Sequence, residues 1–463
     1  MTTERYDLAI IGSGPAGEKA AAQAAYFGKR VLVIERAPEP GGAAVHTGTL
    51  PSKTLREAAV YLSGHRTRRL YGIAVSLAGD ATVPVLMDRK NTIAEAEAHR
   101  IRDNLRRHDV TYRHGHARFV DLHTLAIDGG GGEGRVEADV ILIATGSKPR
   151  RPDGIDFSDS HIHDSDGILT IDRLPESLTI LGGGVIGSEY ACMFAALGVQ
   201  VTVVDSRDRI LPFLDHEIAD RLVVAMEHLG VALELGTRWG EVKRTPSGVR
   251  VELTKGGAVE NDALLFAAGR VGRSGDVGLD AVGIVPNERG YLEVDERYRT
   301  TVPHILAAGD VIGFPALAST AMEQGRVAVC HAFGFEYKQE MAKLLPYGIY
   351  TIPEVSTVGE TEQSCAERGI PYVVGRALYR DNARGRITGD LQGVTKLVVD
   401  ARDRKVLGVH VIGERASELV HIGQAVMHLG GTVDVFIDMV FNYPTLAESY
   451  KYAAYECLGA LAK

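Results

Sequence analysis

Over the first 35 residues, apolar and polar positions alternate in blocks. The stretch YDLAIIGSGPAGEKAAAQAAYFGKRVLVIER begins at Tyr6 with an apolar run and meets Gly12-x-Gly14-x-x-Gly17. It then passes through an alanine-rich segment and returns to an apolar run, Val31 to Ile34, that ends on Glu35. Short apolar runs on either side of a glycine turn and a helix-forming segment predict strand, turn, helix and strand. Gly12 permits the tight turn, Gly14 lets backbone approach a pyrophosphate, and Gly17 allows helix to pack closely on strand. The helix start offers free N–H groups and the positive end of the helix dipole to phosphates. Glu35 is placed to accept hydrogen bonds from a ribose diol.

The same pattern returns in SLTILGGGVIGSEYACMFAALGVQVTVVD, with Gly182-x-Gly184-x-x-Gly187 and a terminal Asp205. Gly12 and Gly182 stand 170 residues apart, as do Gly28 and Gly198, and Glu35 and Asp205. One glycine fingerprint is a weak signal, because turns collect glycine. Two in register over a whole unit predict two dinucleotide sites. Two dinucleotides in one chain point to a flavin and a nicotinamide, whose rings the protein would position while the cofactors carry the hard chemistry. In VVDSRDR, Asp205 favours a free 2′-hydroxyl, whereas Arg207 and Arg209 could pair with a 2′-phosphate.

Composition narrows the picture. The chain has 463 residues, 45% hydrophobic and 24% charged, ordinary for a globular protein and enough for about three domains. A formal net charge of -9 argues against general nucleic-acid binding. The four cysteines, Cys192, Cys330, Cys365 and Cys457, lie far apart in sequence, which argues against a disulfide framework or a thiolate metal site and fits a reducing cytoplasm. The histidines show no ligand spacing, so no metal is expected. No apolar run approaches the roughly 18 residues that cross a bilayer, and the first residues lack the marks of a signal peptide. The basic runs HRTRRL (His65 to Leu70) and HRIRDNLRRHD (His99 to Asp109) read as solvated faces. The run IDGGGGEGR (Ile127 to Arg135) reads as a loop tip, Cys192 and Cys330 as core, and Trp239 as uninformative.

Residues 41 to 54 read GGAAVHTGTLPSKT. This segment, with VILIATGSKPRRP, ALLFAAGR and VPHILAAGD, makes the chain resemble the pyridine nucleotide–disulfide oxidoreductases over essentially its whole length. In disulfide-reducing members the first segment reads G-G-x-C-x-x-x-x-C-x-P-S-K. Here Ala44 and Thr49 stand where the cysteines would, while Pro51, Ser52 and Lys53 are retained. Those members also carry H-P-T-x-x-E near the C-terminus; here Tyr443 replaces the histidine, and Pro444, Thr445 and Glu448 remain. Thiols and proton handler are missing together. Without a thiolate the usual dithiol route is closed. One branch of the family, the soluble pyridine nucleotide transhydrogenases, is similar in HTGTLPSK, YTIPEVSTVGETEQ, GERASELVHIGQAVM and FNYPTLAESY. It keeps a cysteine at the position of Ala44.

The resemblance implies an α/β chain with two Rossmann-like dinucleotide-binding domains, for FAD and NAD(P), and a C-terminal α+β dimerisation domain. The boundaries it implies are 1–147 and 273–344 for the two parts of the FAD domain, 148–272 for the NAD(P) domain and 345–463 for dimerisation. It places cofactor contacts at Gly12, Gly14, Gly17, Glu35, Arg36, Gly42, Ala44, Thr49, Lys53, Ala117, Thr145, Gly146, Asp310 and Ala318 for the flavin. For the nicotinamide nucleotide it places them at Gly182, Gly184, Gly187, Asp205, Arg207 and Gly269, with Arg270 closing that domain. Lys53 would pair with Glu189 beside the flavin; by position alone it could be a surface lysine at a helix start. Tyr443 and Glu448 would reach the partner subunit's site in a homodimer or a larger assembly, with Tyr443 either acting there or filling the space a histidine would take. The implied activity is hydride exchange between NADPH and NAD+ through the flavin, without sulfur. An NAD(P)H-dependent quinone or dye reductase, and a silent flavoprotein sensor, share the same cofactor residues.

Overall fold

The two glycine units fold as two separate sheets, the second parallel throughout and the first parallel at its centre with an antiparallel edge. The computed structural model describes residues 4–64, 79–129 and 134–462, so the run HRTRRL lies outside the described residues. In the first unit the strand Glu4–Ile11 sits between Val31–Glu35 and Gly134–Ile143, all parallel, with Thr111–His114 beyond Val31–Glu35. The long strand Gly134–Ile143 also pairs antiparallel with Thr124–Asp128 near its start and parallel with Ile305–Ala307 near its end. The chain therefore returns to this sheet after building the second one. Val31–Glu35 is buried along its full length, as a strand covered on both faces must be.

The helix Pro15–Tyr26 explains its own alanine content. Ala20, Ala21 and Ala24 are fully buried against the helix Ala318–Phe333, and a Cβ on Gly325 would meet the Ala16 carbonyl oxygen at 2.2 Å. Only small side chains let two helices approach that closely. Gly17 serves the strand side: a Cβ there would stand 2.0 Å from the Gly12 carbonyl oxygen.

The second unit repeats this economy, with Gly187 placed 1.8 Å from the Gly182 oxygen by the same construction. Its parallel sheet runs Val231–Leu235, Gln200–Asp205, Ser177–Leu181, Ala263–Phe266 and Ile162–Asp164. A three-stranded antiparallel layer, Trp239–Thr245, Gly248–Leu253 and Ala258–Asn261, packs against it through Trp239, Val249 and Val251. A two-stranded ladder, Ser147–Pro149 with Arg270–Gly272, carries the chain between the units. From Tyr347 onward an antiparallel sheet forms in the order Tyr347–Ile349, Val355–Gly359, Val406–Ile412, Val394–Asp400 and Tyr372–Leu378. The helices Ala416–His428 and Ser449–Leu461 pack on that sheet.

Residues 99–107 of the second basic run fall on the helix Gly79–Arg107, with Ile101 and Leu105 buried and Arg100, Arg102 and Arg106 exposed, and His108 and Asp109 form the turn after it. Of the run Ile127 to Arg135, the two ends belong to the paired strands Thr124–Asp128 and Gly134–Ile143, and residues 130–133 lie outside the described residues. Cys192 and Cys330 are core residues. No helix among the described residues is long and apolar enough to cross a membrane.

One apolar cluster joins all three parts of the chain. It contains Leu55 and Ala59 from the first unit, Leu178, Tyr190 and Cys192 from the second, and Ile349, Val355 and Ile412 from the C-terminal sheet. Beside it lies a polar junction. Lys396, fully buried on the strand Val394–Asp400, donates to Asp215 at 2.6 Å, reaches Glu217 at 3.1 Å and pairs with Glu362. Asp215 is also the N-cap of the helix His216–His228. Burial alone would raise the Glu217 carboxyl, but Arg376 and Lys396 outweigh it and hold the group at about 2; Asp215 is held down in the same way.

Two outcomes follow. The variant Lys396→Met leaves the fully buried Asp215 without its cation, and chemical denaturation should register a loss of about 3–5 kcal/mol. Because the folded value of Glu217 lies below its ordinary 4.5, its contribution is present above that pH and disappears as pH falls toward about 2. The gap between wild type and variant, measured across acid titrations, should therefore narrow in that window.

Candidate functional site

The N-terminal end of the helix Pro15–Tyr26 opens into a cavity of about 830 Å³. Its floor is backbone. Gly12 adopts φ +105°, and a Cβ there would meet the Ala144 oxygen at 2.5 Å. A Cβ on Gly42 would stand 3.0 Å from Gly14 Cα and close the space between the two segments. No side chain caps the helix start at Gly14, so its first N–H groups remain for an anion. Thr145 Oγ1 is buried without a partner among the described residues. A glycine cradle, a free helix start and a spare hydroxyl, in a cavity of this volume, fit a dinucleotide.

Most residues expected to hold the flavin line this cavity. Gly12, Gly14, Glu35, Arg36, Gly42 and Ala44 do, as do Thr49, Lys53, Ala117, Thr145, Gly146, Asp310 and Ala318. Gly17 lies beneath, packed against Gly12. Glu35 accepts from the Ser13 N–H at 2.8 Å, the Ser13 hydroxyl at 2.7 Å and the Ala37 N–H at 2.9 Å. Arg36 turns to Asp276 at 2.5 Å. Asp310 accepts from the Ser147 hydroxyl at 2.8 Å, and that hydroxyl accepts from Arg270 Nε at 2.9 Å. The crossover ladder thus orients Asp310.

The second unit contributes one turn of helix to the same cavity. Val185, Ile186, Glu189 and Tyr190, from the helix Val185–Ala196, line it. That helix is buried almost all round, including Glu189. Glu189 accepts both hydrogen bonds that Lys53 Nζ sends it, at 2.6 and 2.9 Å, and the Tyr350 N–H at 2.9 Å. The ammonium lies 4.8 Å from the centre of the Tyr350 ring, within cation–π range. One turn further along the helix Thr49–Leu62, Arg56 repeats the reach, donating to the Thr351 carbonyl at 3.1 Å and pairing with Glu354 at 3.2 Å. The i, i+3 spacing puts both cations on one face, turned to the segment 350–354.

Gly182, Gly184, Gly187, Asp205, Arg207 and Gly269 do not line this cavity; they sit at the second sheet. Asp205 accepts from the Gly183 N–H at 2.6 Å and is paired with Arg207 at 2.6 Å. Burial would raise its carboxyl, but Arg207 and the Gly183 N–H hold it below the usual range. Tyr443 is 74% exposed, and Glu448 accepts from Tyr452 at 3.3 Å; neither lines the cavity of its own chain. The four cysteines are buried. Burial pushes the Cys192 and Cys457 thiols up to about 12 and raises those of Cys330 and Cys365.

Sequence reasoning missed Tyr350, Ser13, Ser147 and Arg273, all except Ser13 lining the cavity. Serines at strand ends and a tyrosine before a turn carry no local signal of their own. Arg273 enters from beyond the ladder; burial and then the charge of Arg36 lower its ordinarily high pKa.

A chain that sets two glycine-cradle units around one cavity, with a lysine–glutamate pair joining them, belongs to a class of two-dinucleotide redox proteins. A model of that class, the pyridine nucleotide-disulphide oxidoreductases, matches residues 6–325, and its dimerisation domain matches residues 345–454. The chain belongs to this family. Relatives named soluble pyridine nucleotide transhydrogenase are 45% identical in Mycobacterium bovis and 41% identical in Chromohalobacter salexigens, each over 98% of both chains. Among solved structures, LpdA from Mycobacterium tuberculosis has a TM-score of 0.89 at 31% identity, covering 98% of this chain and 99% of its own. The flavoprotein disulfide reductase RclA from Escherichia coli has a TM-score of 0.88 at 29% identity, covering 97% and 99%.

The variant Lys53→Met leaves the buried Glu189 carboxylate with the Tyr350 N–H as its one remaining partner among these contacts. It should cost about 1–3 kcal/mol, and the double variant Lys53→Met/Glu189→Leu should recover part of that loss in the same denaturation measurement.

Proposed function

We propose that this chain is an FAD-dependent transhydrogenase that moves a hydride from NADPH to NAD+ with no sulfur relay. One observation carries the reading. Ala44 and Thr49, at the positions of the family's redox cysteines, both line the cavity, while every cysteine is buried elsewhere. Relatives that align over 98% of the chain bear the name soluble pyridine nucleotide transhydrogenase, which agrees with it.

FAD bound in the cavity supplies a ring that takes up and gives back a hydride. Every other part belongs to the chain. The Gly12–Gly17 turn and the helix start hold the pyrophosphate, Glu35 the adenosine ribose and Asp310, oriented by Ser147, the ribityl chain. Arg36, Gly42, Ala117, Thr145, Gly146 and Ala318 shape the bed. Lys53, held by Glu189 and Tyr350, keeps a positive charge at the cavity wall where reduction adds negative charge. Gly182, Gly184, Gly187, Asp205, Arg207 and Gly269 hold the nicotinamide nucleotide, and the enzyme's work is largely orientation of two rings. Domain boundaries at 1–147, 148–272, 273–344 and 345–463 follow, with the last part pairing two copies. Tyr443 and Glu448, which leave their own cavity alone, would complete the partner subunit's, and the exposed Val440 and Tyr443 would be covered there. A cytoplasmic location fits four unpaired cysteines.

Anaerobic stopped-flow mixing tests this. NADPH should bleach the flavin absorbance and NAD+ should restore it within turnover time; restoration far faster by a quinone than by NAD+ would sink the reading. Lys53→Met should slow flavin reduction by at least about tenfold, with nucleotide affinity changed much less.

A further inference from the structure

We infer that Asp205 and Arg207 form an opening pair that lets one adenosine-ribose site accept nucleotides with and without a 2′-phosphate. This rests on the reading that the second unit binds both nicotinamide nucleotides. The internal repeat supplies the comparison. In the first unit the corresponding acid, Glu35, is held by Ser13 and Ala37. No lysine or arginine among the described residues pairs with it, and the neighbouring Arg36 is taken by Asp276.

In the second unit the acid carries its own counter-ion. Asp205 Oδ1 accepts from the Arg207 backbone N–H and from Nε, both at 2.8 Å. Oδ2 accepts from the Gly183 N–H and from Arg207 Nη2, both at 2.6 Å. A carboxylate offers about four lone-pair positions, and all four are used. Asp205 in this state neither repels a phosphate as a bare anion would nor has room to accept ribose hydroxyls. The guanidinium keeps donors in hand: Nη1 donates to nothing among the described residues, and an arginine fork can hold a carboxylate on one edge and meet a phosphate on another. The closed pair is therefore the form that suits a 2′-phosphate. A ribose diol needs the pair open, with Arg207 swung into solvent and the lone pairs of Asp205 released. The exposures fit that division, since the Asp205 side chain is 5% exposed and that of Arg207 is 43%. The acid is buried, and the cation reaches solvent, which leaves room for it to swing out. Arg209, the other candidate, is already paired with Asp220.

The test titrates full-length, FAD-loaded protein with two probes, adenosine 2′,5′-bisphosphate and 5′-AMP, which differ at the 2′ position. In Arg207→Gln the bisphosphate should bind at least about tenfold more weakly, while 5′-AMP binds as tightly as in wild type or more tightly, because no pair has to open. Asp205→Asn should shift the ratio the other way, keeping the bisphosphate and weakening 5′-AMP. Arg207→Lys retains the charge without the fork and should recover part of the bisphosphate affinity. An Arg207→Gln protein that loses both probes by the same factor, or neither, overturns the proposal. Wild-type protein that takes neither probe overturns it as well. If the ratios move as stated but no hydride passes from NADPH to NAD+, the inference stands and the transhydrogenase reading falls.

Discussion

Lys53, Glu189 and the backbone N–H of Tyr350 meet at one wall of the cavity, and each comes from a different part of the chain. The rest of the site depends on that meeting. A carboxylate buried as deeply as Glu189 needs hydrogen-bond partners, and the ammonium and the N–H supply them. The ammonium in turn is held beside the cavity only while the helix Val185–Ala196 and the segment starting at Tyr350 stay in place. A positive charge at a defined point beside the cavity is thus a product of three segments at once. It would be lost by a small displacement of any of them.

The same logic recurs at two further junctions. Arg56 binds the Thr351 carbonyl and Glu354, and Lys396 binds Asp215, Glu217 and Glu362. Apolar packing holds these parts together without strong preference for one register, because burial is non-directional. Ion pairs with backbone partners add direction. Asp215 shows how closely the two are joined: it caps a helix of the second unit while accepting from a lysine of the C-terminal sheet. The helix therefore starts where the other sheet requires. A redox centre that works by placing rings needs that kind of registration more than it needs extra stability.

Much of the fold was legible along the chain. The glycine turns, the apolar strands and the acids that end them at Glu35 and Asp205 are local features, each contained within one strand–turn–helix–strand unit. The expectation that Ala44 and Thr49 stand in place of redox cysteines came from the resemblance to the family's disulfide-reducing members. The return of Ile305–Ala307 to the first sheet followed from resemblance, not from pattern. Tyr350, Ser147 and Arg273 could not be read, since their importance lies in what they approach across hundreds of residues.

By itself, then, the sequence determined that two dinucleotide-binding units exist and which glycines turn the chain at their helix starts, because backbone sterics act over a few residues. Only the tertiary structure decided that Glu189 faces Lys53 and that Tyr443 leaves its own cavity alone, outcomes that turn on distances of a few ångströms between segments remote in sequence. It also decided that Arg207 and the Gly183 N–H saturate Asp205 while no cation among the described residues pairs with Glu35, although Arg207 stands two residues from its partner. Electrostatic pairing changes sharply over such distances.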